Sequence, residues 1–219
     1  MSDGLVHLIR EPAGEPDGAL VLNHGRGADE HDLYPLLDEL DPQRRLLGIT
    51  TGAPLTNIPP GGRHWYRVPR VGYPDPETFA HSYGLLTEFL DGLLAERGIG
   101  WERTAIGGFS MGAVMSYSVA LGPGRRSPAA LLAFSGFIPT VDGWQPDIPR
   151  DTRVFIAHGR LDPVMEVGFA RRAHELLSGA GMDVDYHESD AAHHIDPAHV
   201  PAARDWVSDT LRSGAARPR

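Results

Sequence analysis

Residues 104–112 read Thr104-Ala105-Ile106-Gly107-Gly108-Phe109-Ser110-Met111-Gly112, and no other stretch constrains the architecture as tightly. The first half is a short apolar run of strand type. From Met111 to Leu121 the pattern becomes helical, and Gly122-Pro123-Gly124 stops it. A strand that turns into a helix over one serine, with glycine two residues to either side, is a sharp and strained turn. It holds the hydroxyl at the end of a sheet. The first helical N–H, that of Met111, then points to where negative charge gathers during attack on a carbonyl. Ser110 is therefore the candidate nucleophile and the Met111 N–H a candidate oxyanion donor. A plain tight turn in a glycine-rich chain is the competing reading, and the strand–turn–helix setting weighs against it.

Working outward, short strand-like runs alternate with helical patterns. Leu5 to Ile9, Ala19 to Leu22 and Arg45 to Thr50 read as strands upstream, with a helix over Asp32 to Leu40. Glu77 to Arg97 is the longest helical pattern, carrying a stripe of Leu85, Leu86, Phe89, Leu90, Leu93 and Leu94 and stopped by Gly98. Downstream, strands are expected at Ala130 to Phe134, Val154 to Ala157 and Val184 to His187, and helices at Val167 to Leu177 and Pro201 to Leu211. This alternation predicts an α/β fold of one domain over residues 1–219, its mostly parallel central sheet covered by helices on both faces. Ser213 to Arg219 reads as a frayed tail. Residues 52–76 show no period, and such long loops serve as lids, binding loops or disordered segments. Chemistry in such sheets sits in loops at the carboxyl ends of the strands.

A serine hydroxyl needs a base, and the base needs an orienting carboxylate. The strand Val154-Phe155-Ile156-Ala157 opens into His158-Gly159-Arg160-Leu161-Asp162-Pro163-Val164, and the next strand opens into Ser189-Asp190-Ala191-Ala192-His193-His194-Ile195. Ser110, Asp162 and His193 thus fall after successive strands, in the chain order such a turn predicts. Asp162 alone would read as a turn or helix-capping residue. His193 is preferred to His194, which reads as a polar loop residue. A second oxyanion donor is expected from Asn23-His24-Gly25-Arg26-Gly27 after the early strand, through the Arg26 N–H, with His24 holding the loop. The crowding of His193, His194, Asp196 and His199 raises a metal reading. No H-E-x-x-H or H-x-x-E-H spacing occurs, however, and Pro197 interrupts a helix that would align them, so no metal and no cofactor are expected.

Composition narrows the classes. Hydrophobic residues make up 41% of 219 and charged residues 22%, which suits a packed globular chain. A formal charge of −9 speaks against nucleic acid as a partner. All 20 basic residues are arginine, which excludes lysine Schiff-base chemistry, and the absence of cysteine excludes disulfides and thiol nucleophiles. The N-terminus carries no basic, apolar leader and no run is long enough for a membrane span, so a cytoplasmic location is expected.

The segments at residues 23–27, 108–112, 158–164 and 192–195 together resemble the phospholipase/carboxylesterase family of α/β-hydrolases, which includes the acyl-protein thioesterases. The resemblance runs from about Leu20 to Leu211. It departs from the family where Met111 replaces the usual glutamine and Ala192 the usual glycine; the backbone donor at 111 and the base at 193 should survive both. It implies an α/β-hydrolase fold with a minimal lid and an open cleft for short or medium acyl esters. It also implies that Gly61-Gly62-Arg63-His64-Trp65-Tyr66 supplies an aromatic residue to the acyl pocket. Trp65 is the candidate contact, with a buried anchor as the equal alternative, and Phe137 and Ile138 are candidates for the opposite wall. The expected activity is a serine carboxylesterase acting on a small-molecule ester. A thioesterase or lysophospholipase with the same triad, or a ligand-binding module without turnover, are the rivals. Some members are dimers, so a homodimer stays open.

Overall fold

The computed structural model describes residues 4–148 and 151–215, with side chains up to residue 212. Seven strands form one sheet: β1 (His7–Arg10), β2 (Gly18–Asn23), β3 (Leu46–Thr51), β4 (Thr104–Phe109), β5 (Ala130–Phe134), β6 (Arg153–Gly159) and β7 (Val184–Ser189). Their spatial order is β1-β3-β2-β4-β5-β6-β7. All neighbours are parallel except β1, which pairs antiparallel with β3 through His7↔Thr51 to Arg10↔Gly48. The helices are α1 (Tyr34–Leu40), α2 (Pro76–Glu96), α3 (Met111–Ala120), α4 (Gly168–Gly179) and α5 (Val200–Ala215).

Strand residues alternate between two cores, as a pleated sheet covered on both sides requires. Val21, Ile106, Leu131 and Ile156 pack into the layer that holds Phe79, Leu86 and Leu90 of α2, Val114 of α3 and Leu177 of α4. Leu20, Leu22, Leu132 and Phe155 face Leu36 and Leu37 of α1 and Trp206 and Val207 of α5. The sheet is an α/β-hydrolase fold, as the alternation and the resemblance imply.

Chain order reverses in the middle of the sheet. From β2 the chain moves outward to β3, then crosses to β4 on the other side of β2. Ligands in open parallel sheets bind at such a reversal, outside the carboxyl ends of the strands. Residue 26 follows β2 and residue 110 follows β4, so both borders of that crevice carry sequence-predicted site residues.

Two expectations change. The helix α5 runs to Ala215, so the start of the expected frayed tail is helical; residues 216–219 lie outside the described residues. Short 3₁₀ turns at Trp101–Arg103 and Pro197–His199 were not anticipated. Residues 52–75 contain no helix or strand, only isolated bridges such as Leu55 with His64 and Arg70 with Tyr73.

Candidate active site

The turn from β4 to α3 has the strain its sequence implies. Ser110 stands at φ 56° and ψ −119°, a backbone state an L-residue avoids. It is pinned there because its N–H donates to the Phe134 carbonyl at 2.9 Å while its own carbonyl accepts from Val114 at 3.2 Å. Glycine is required on either side. A Cβ at 108 would lie 2.5 Å from the Asn23 oxygen, and one at 112 only 1.9 Å from it. Asn23 ties the neighbouring ends together: it donates to Ser116 Oγ at 2.9 Å and accepts from Thr51 Oγ1 at 2.6 Å.

Asp162, three residues past β6, divides its carboxylate between two tasks. Oδ1 accepts the N–H groups of Val164 and Met165, each at 2.8 Å, and so closes the turn. Oδ2 lies 2.6 Å from His193 Nδ1. Burial pushes this carboxyl up, but the bonds from His193, Met165 and Val164 outweigh it and hold it below its ordinary value. One side chain thus both closes the turn and faces the His193 ring.

His193, four residues past β7, spans the gap, with Nε2 2.9 Å from Ser110 Oγ. With Nδ1 facing a carboxylate, the proton belongs on Nδ1 and Nε2 is left to accept from the serine hydroxyl. Phe109 packs against the ring at 4.9 Å between centroids. His194 is exposed, and its N–H donates back to Ala192 O. Ser110, Asp162 and His193 are thus brought into one hydrogen-bonded chain, and His194 is not.

The two backbone donors border the same space. Arg26 and Met111 line a cleft of about 400 Å³ with Ser110 and His193. Neither N–H donates to a protein acceptor among the described residues. The Arg26 loop is held by His24, whose Nε2 accepts the Ala53 N–H at 3.0 Å, so that Nδ1 carries the proton toward Gly25 O at 2.6 Å. Burial keeps this imidazole below its ordinary pKa, and therefore neutral. Its role is to hold the loop.

Three pocket expectations divide. Phe137 lines the cleft, whereas Ile138 lines an adjoining groove of about 310 Å³ that Phe137 borders from the other side. Trp65 is 0% exposed and does not border the cleft. It anchors the loop, its indole N–H donating to His24 O at 3.0 Å and its backbone N–H to Met111 Sδ at 3.2 Å. Tyr66, the next residue, lines the cleft instead. Successive residues of an extended segment face opposite ways, and the sequence does not reveal which of the two faces inward.

Other residues were not singled out. Val68, Val71, Phe109, Val164 and Met165 complete the apolar wall. His158, buried beside Asp162, places Nε2 2.7 Å from Met165 O and 3.6 Å from Asp162 Oδ2. Its position directly before Gly159 at the end of β6 was the available signal. Asp196, part of the metal reading, instead caps the 3₁₀ turn through the Ala198 N–H at 2.9 Å. Among the described residues, the one group with metal-like spacing is Asp29, Glu30 and His31, none of which lines the cleft.

The family model described as Phospholipase/Carboxylesterase matches residues 6–211. Esterase YpfH of Escherichia coli is 27% identical over 93% of this chain and 88% of its own length. Acyl-protein thioesterase 1 of Candida albicans is 28% identical over 80% of this chain and 84% of its own. The crystal structure of a Bacillus cereus carboxylesterase superimposes with a TM-score of 0.84 at 22% identity, covering 95% of this chain and 96% of that one. The chain belongs to the phospholipase/carboxylesterase family and is a hydrolase acting on ester bonds.

Proposed function

We propose that the protein is a serine carboxylesterase that cleaves short- to medium-chain acyl esters through an acyl-enzyme. The observation that carries the reading is the unbroken chain Ser110 Oγ, His193 Nε2, His193 Nδ1, Asp162 Oδ2, at 2.9 and 2.6 Å, opening onto a cleft with two uncommitted N–H groups.

In this reading Ser110 Oγ attacks the ester carbonyl while His193 Nε2 takes its proton. The N–H groups of Arg26 and Met111 receive the developing oxyanion. His193 returns the proton to the leaving alcohol as the carbon–oxygen bond breaks. Water, activated by the same imidazole, then releases the acid and restores the serine. Asp162 holds the ring in the required tautomer and balances its positive charge. Val68, Val71, Phe137, Val164 and Met165 accept the acyl chain by apolar burial.

The test is hydrolysis of p-nitrophenyl butyrate. Ser110→Ala should lose at least about 1,000-fold in kcat, since removing the nucleophile leaves only binding and oxyanion stabilisation. Activity unchanged in that variant rejects the mechanism. Thioesters pass through the same tetrahedral intermediate, so a matched butyryl thioester and butyryl ester, compared by kcat/KM, separate the carboxylesterase reading from the thioesterase one.

A further inference from the structure

In this arginine-rich, net-negative chain, arginines typically sit against carboxylates, as Arg63 does with Glu30 and Arg171 with Glu188. The two arginines that line the Ser110 cleft, Arg26 and Arg70, have no carboxylate partner among the described residues. Arg26 reaches only the Pro59 carbonyl, at 3.3 Å. Asp32, on the same β2–α1 loop as Arg26, is the one carboxylate lining the cleft among the described residues. Arg70 comes from a separate segment, the loop before α2, and no acidic residue of that segment lines the cleft. Its guanidinium lies 3.7 Å over the Tyr73 ring, and the Tyr73 N–H donates to Arg70 O at 3.0 Å. Stacking orients the fork while its N–H donors stay unused by any carboxylate among the described residues.

An exposed guanidinium stacked on a ring at the rim of an apolar cleft, with no carboxylate partner among the described residues, can serve as a recognition element. We propose that Arg70 is an anion subsite that selects esters carrying a second acidic group, a carboxylate or phosphate, in addition to the bond that is cleaved. The cleft wall of Val68, Val71 and Phe137 takes the hydrocarbon part, and the planar fork takes two oxygens of the acid. The inference rests on the esterase reading for its substrate but not for its binding site. Arg26 and the cleft's one lining carboxylate, Asp32, share the β2–α1 loop, whereas Arg70 comes from a loop that brings no acidic residue to the cleft.

The experiment compares mono-p-nitrophenyl glutarate with p-nitrophenyl valerate, an uncharged ester of the same chain length. In the wild type, kcat/KM should favour the glutarate ester, and the preference should shrink as NaCl rises from about 0.05 to about 0.5 M. Arg70→Gln should lower the glutarate-to-valerate ratio by about fivefold, chiefly through KM. Arg70→Lys should restore part of it by keeping the charge. A ratio that Arg70→Gln leaves unchanged overturns the proposal. Inhibition of valerate hydrolysis by glutarate and by inorganic phosphate, each weakened in Arg70→Gln, tells which acid the subsite prefers. Calorimetric titration of glutarate into wild type and Arg70→Gln decides the subsite without turnover. Equal glutarate affinity in the two proteins rejects the subsite, whereas loss of all ester hydrolysis with intact Arg70-dependent binding rejects only the esterase reading.

Discussion

A methyl group at residue 112 would meet the carbonyl oxygens of Asn23 at 1.9 Å and His24 at 2.5 Å, with backbone rather than flexible side chain in its way. Gly112→Ala should therefore cost about 3 kcal/mol or more in urea unfolding, well above an ordinary surface change. A stability within about 0.5 kcal/mol of wild type would mean that β2 and α3 can part without penalty. Met111 makes the opposite case. Its catalytic contribution in the proposed mechanism is a backbone N–H, so Met111→Gln should keep kcat/KM within about threefold, measured on p-nitrophenyl butyrate. Residue identity explains why the site was largely legible. Ser110 has a strained turn that few sequences produce, and Asp162 and His193 sit where strands end. What was not legible is the facing of extended residues. Trp65 and Tyr66 are both aromatic, and only the phase of the loop decides which one is the anchor.

Between elements, β1 is attached by its pairing with β3 and also by one buried side chain. Arg10, 2% exposed, donates to the carbonyls of Leu37, Asp41 and Leu46 and to the carboxylate of Asp41, joining the sheet edge to the end of α1. That carboxylate also accepts the N–H groups of Arg45 and Leu46, both at 3.0 Å, at the entry to β3. Removing the guanidinium leaves a buried carboxylate and three carbonyls short of a donor. Arg10→Ala should accordingly cost about 3 kcal/mol, read from the denaturant midpoint at unchanged slope. A loss below about 1 kcal/mol would show that water replaces the guanidinium. The sequence offered no hint of this tie, nor of the antiparallel pairing of β1, because a four-residue strand has no helix before it to force a parallel crossover. By contrast, the parallel orientation of the inner strands follows from connections long enough to cross the sheet, which is why the parallel part could be anticipated, though not its order.

For the whole molecule, acid should act in two stages. The imidazoles of His24, His158 and His199 are all held below their ordinary 6.5, in each case chiefly by burial. Their unfolded counterparts bind protons first as pH falls from 7. The unfolded state then carries more protons than the folded one, so folding stability drops from about pH 6.5 downward. Carboxylates act later. Glu188 is brought down to about 2 by its bonds from Arg171, against burial, and Asp162 is also depressed. Their contribution is complete above the ordinary carboxylate range and disappears as pH falls through the folded values. Asp32 works the other way: burial and the nearby Asp29 raise its pKa, so protonation relieves a strain on the folded form. Loss of net negative charge on approach to pI 5.6 also opposes the first stage, but surface charges about 10 Å apart are largely screened in ordinary salt. Buried histidines should therefore prevail. Urea unfolding at about 0.15 M salt is expected to give a free energy that falls between pH 7 and 5 and falls again below pH 4. Replacing His158 by Asn should flatten part of the first fall, because a side chain that does not titrate takes up no proton in either state. A stability as high at pH 5 as at pH 7 would place charge repulsion, rather than the buried imidazoles, in control of the acid response.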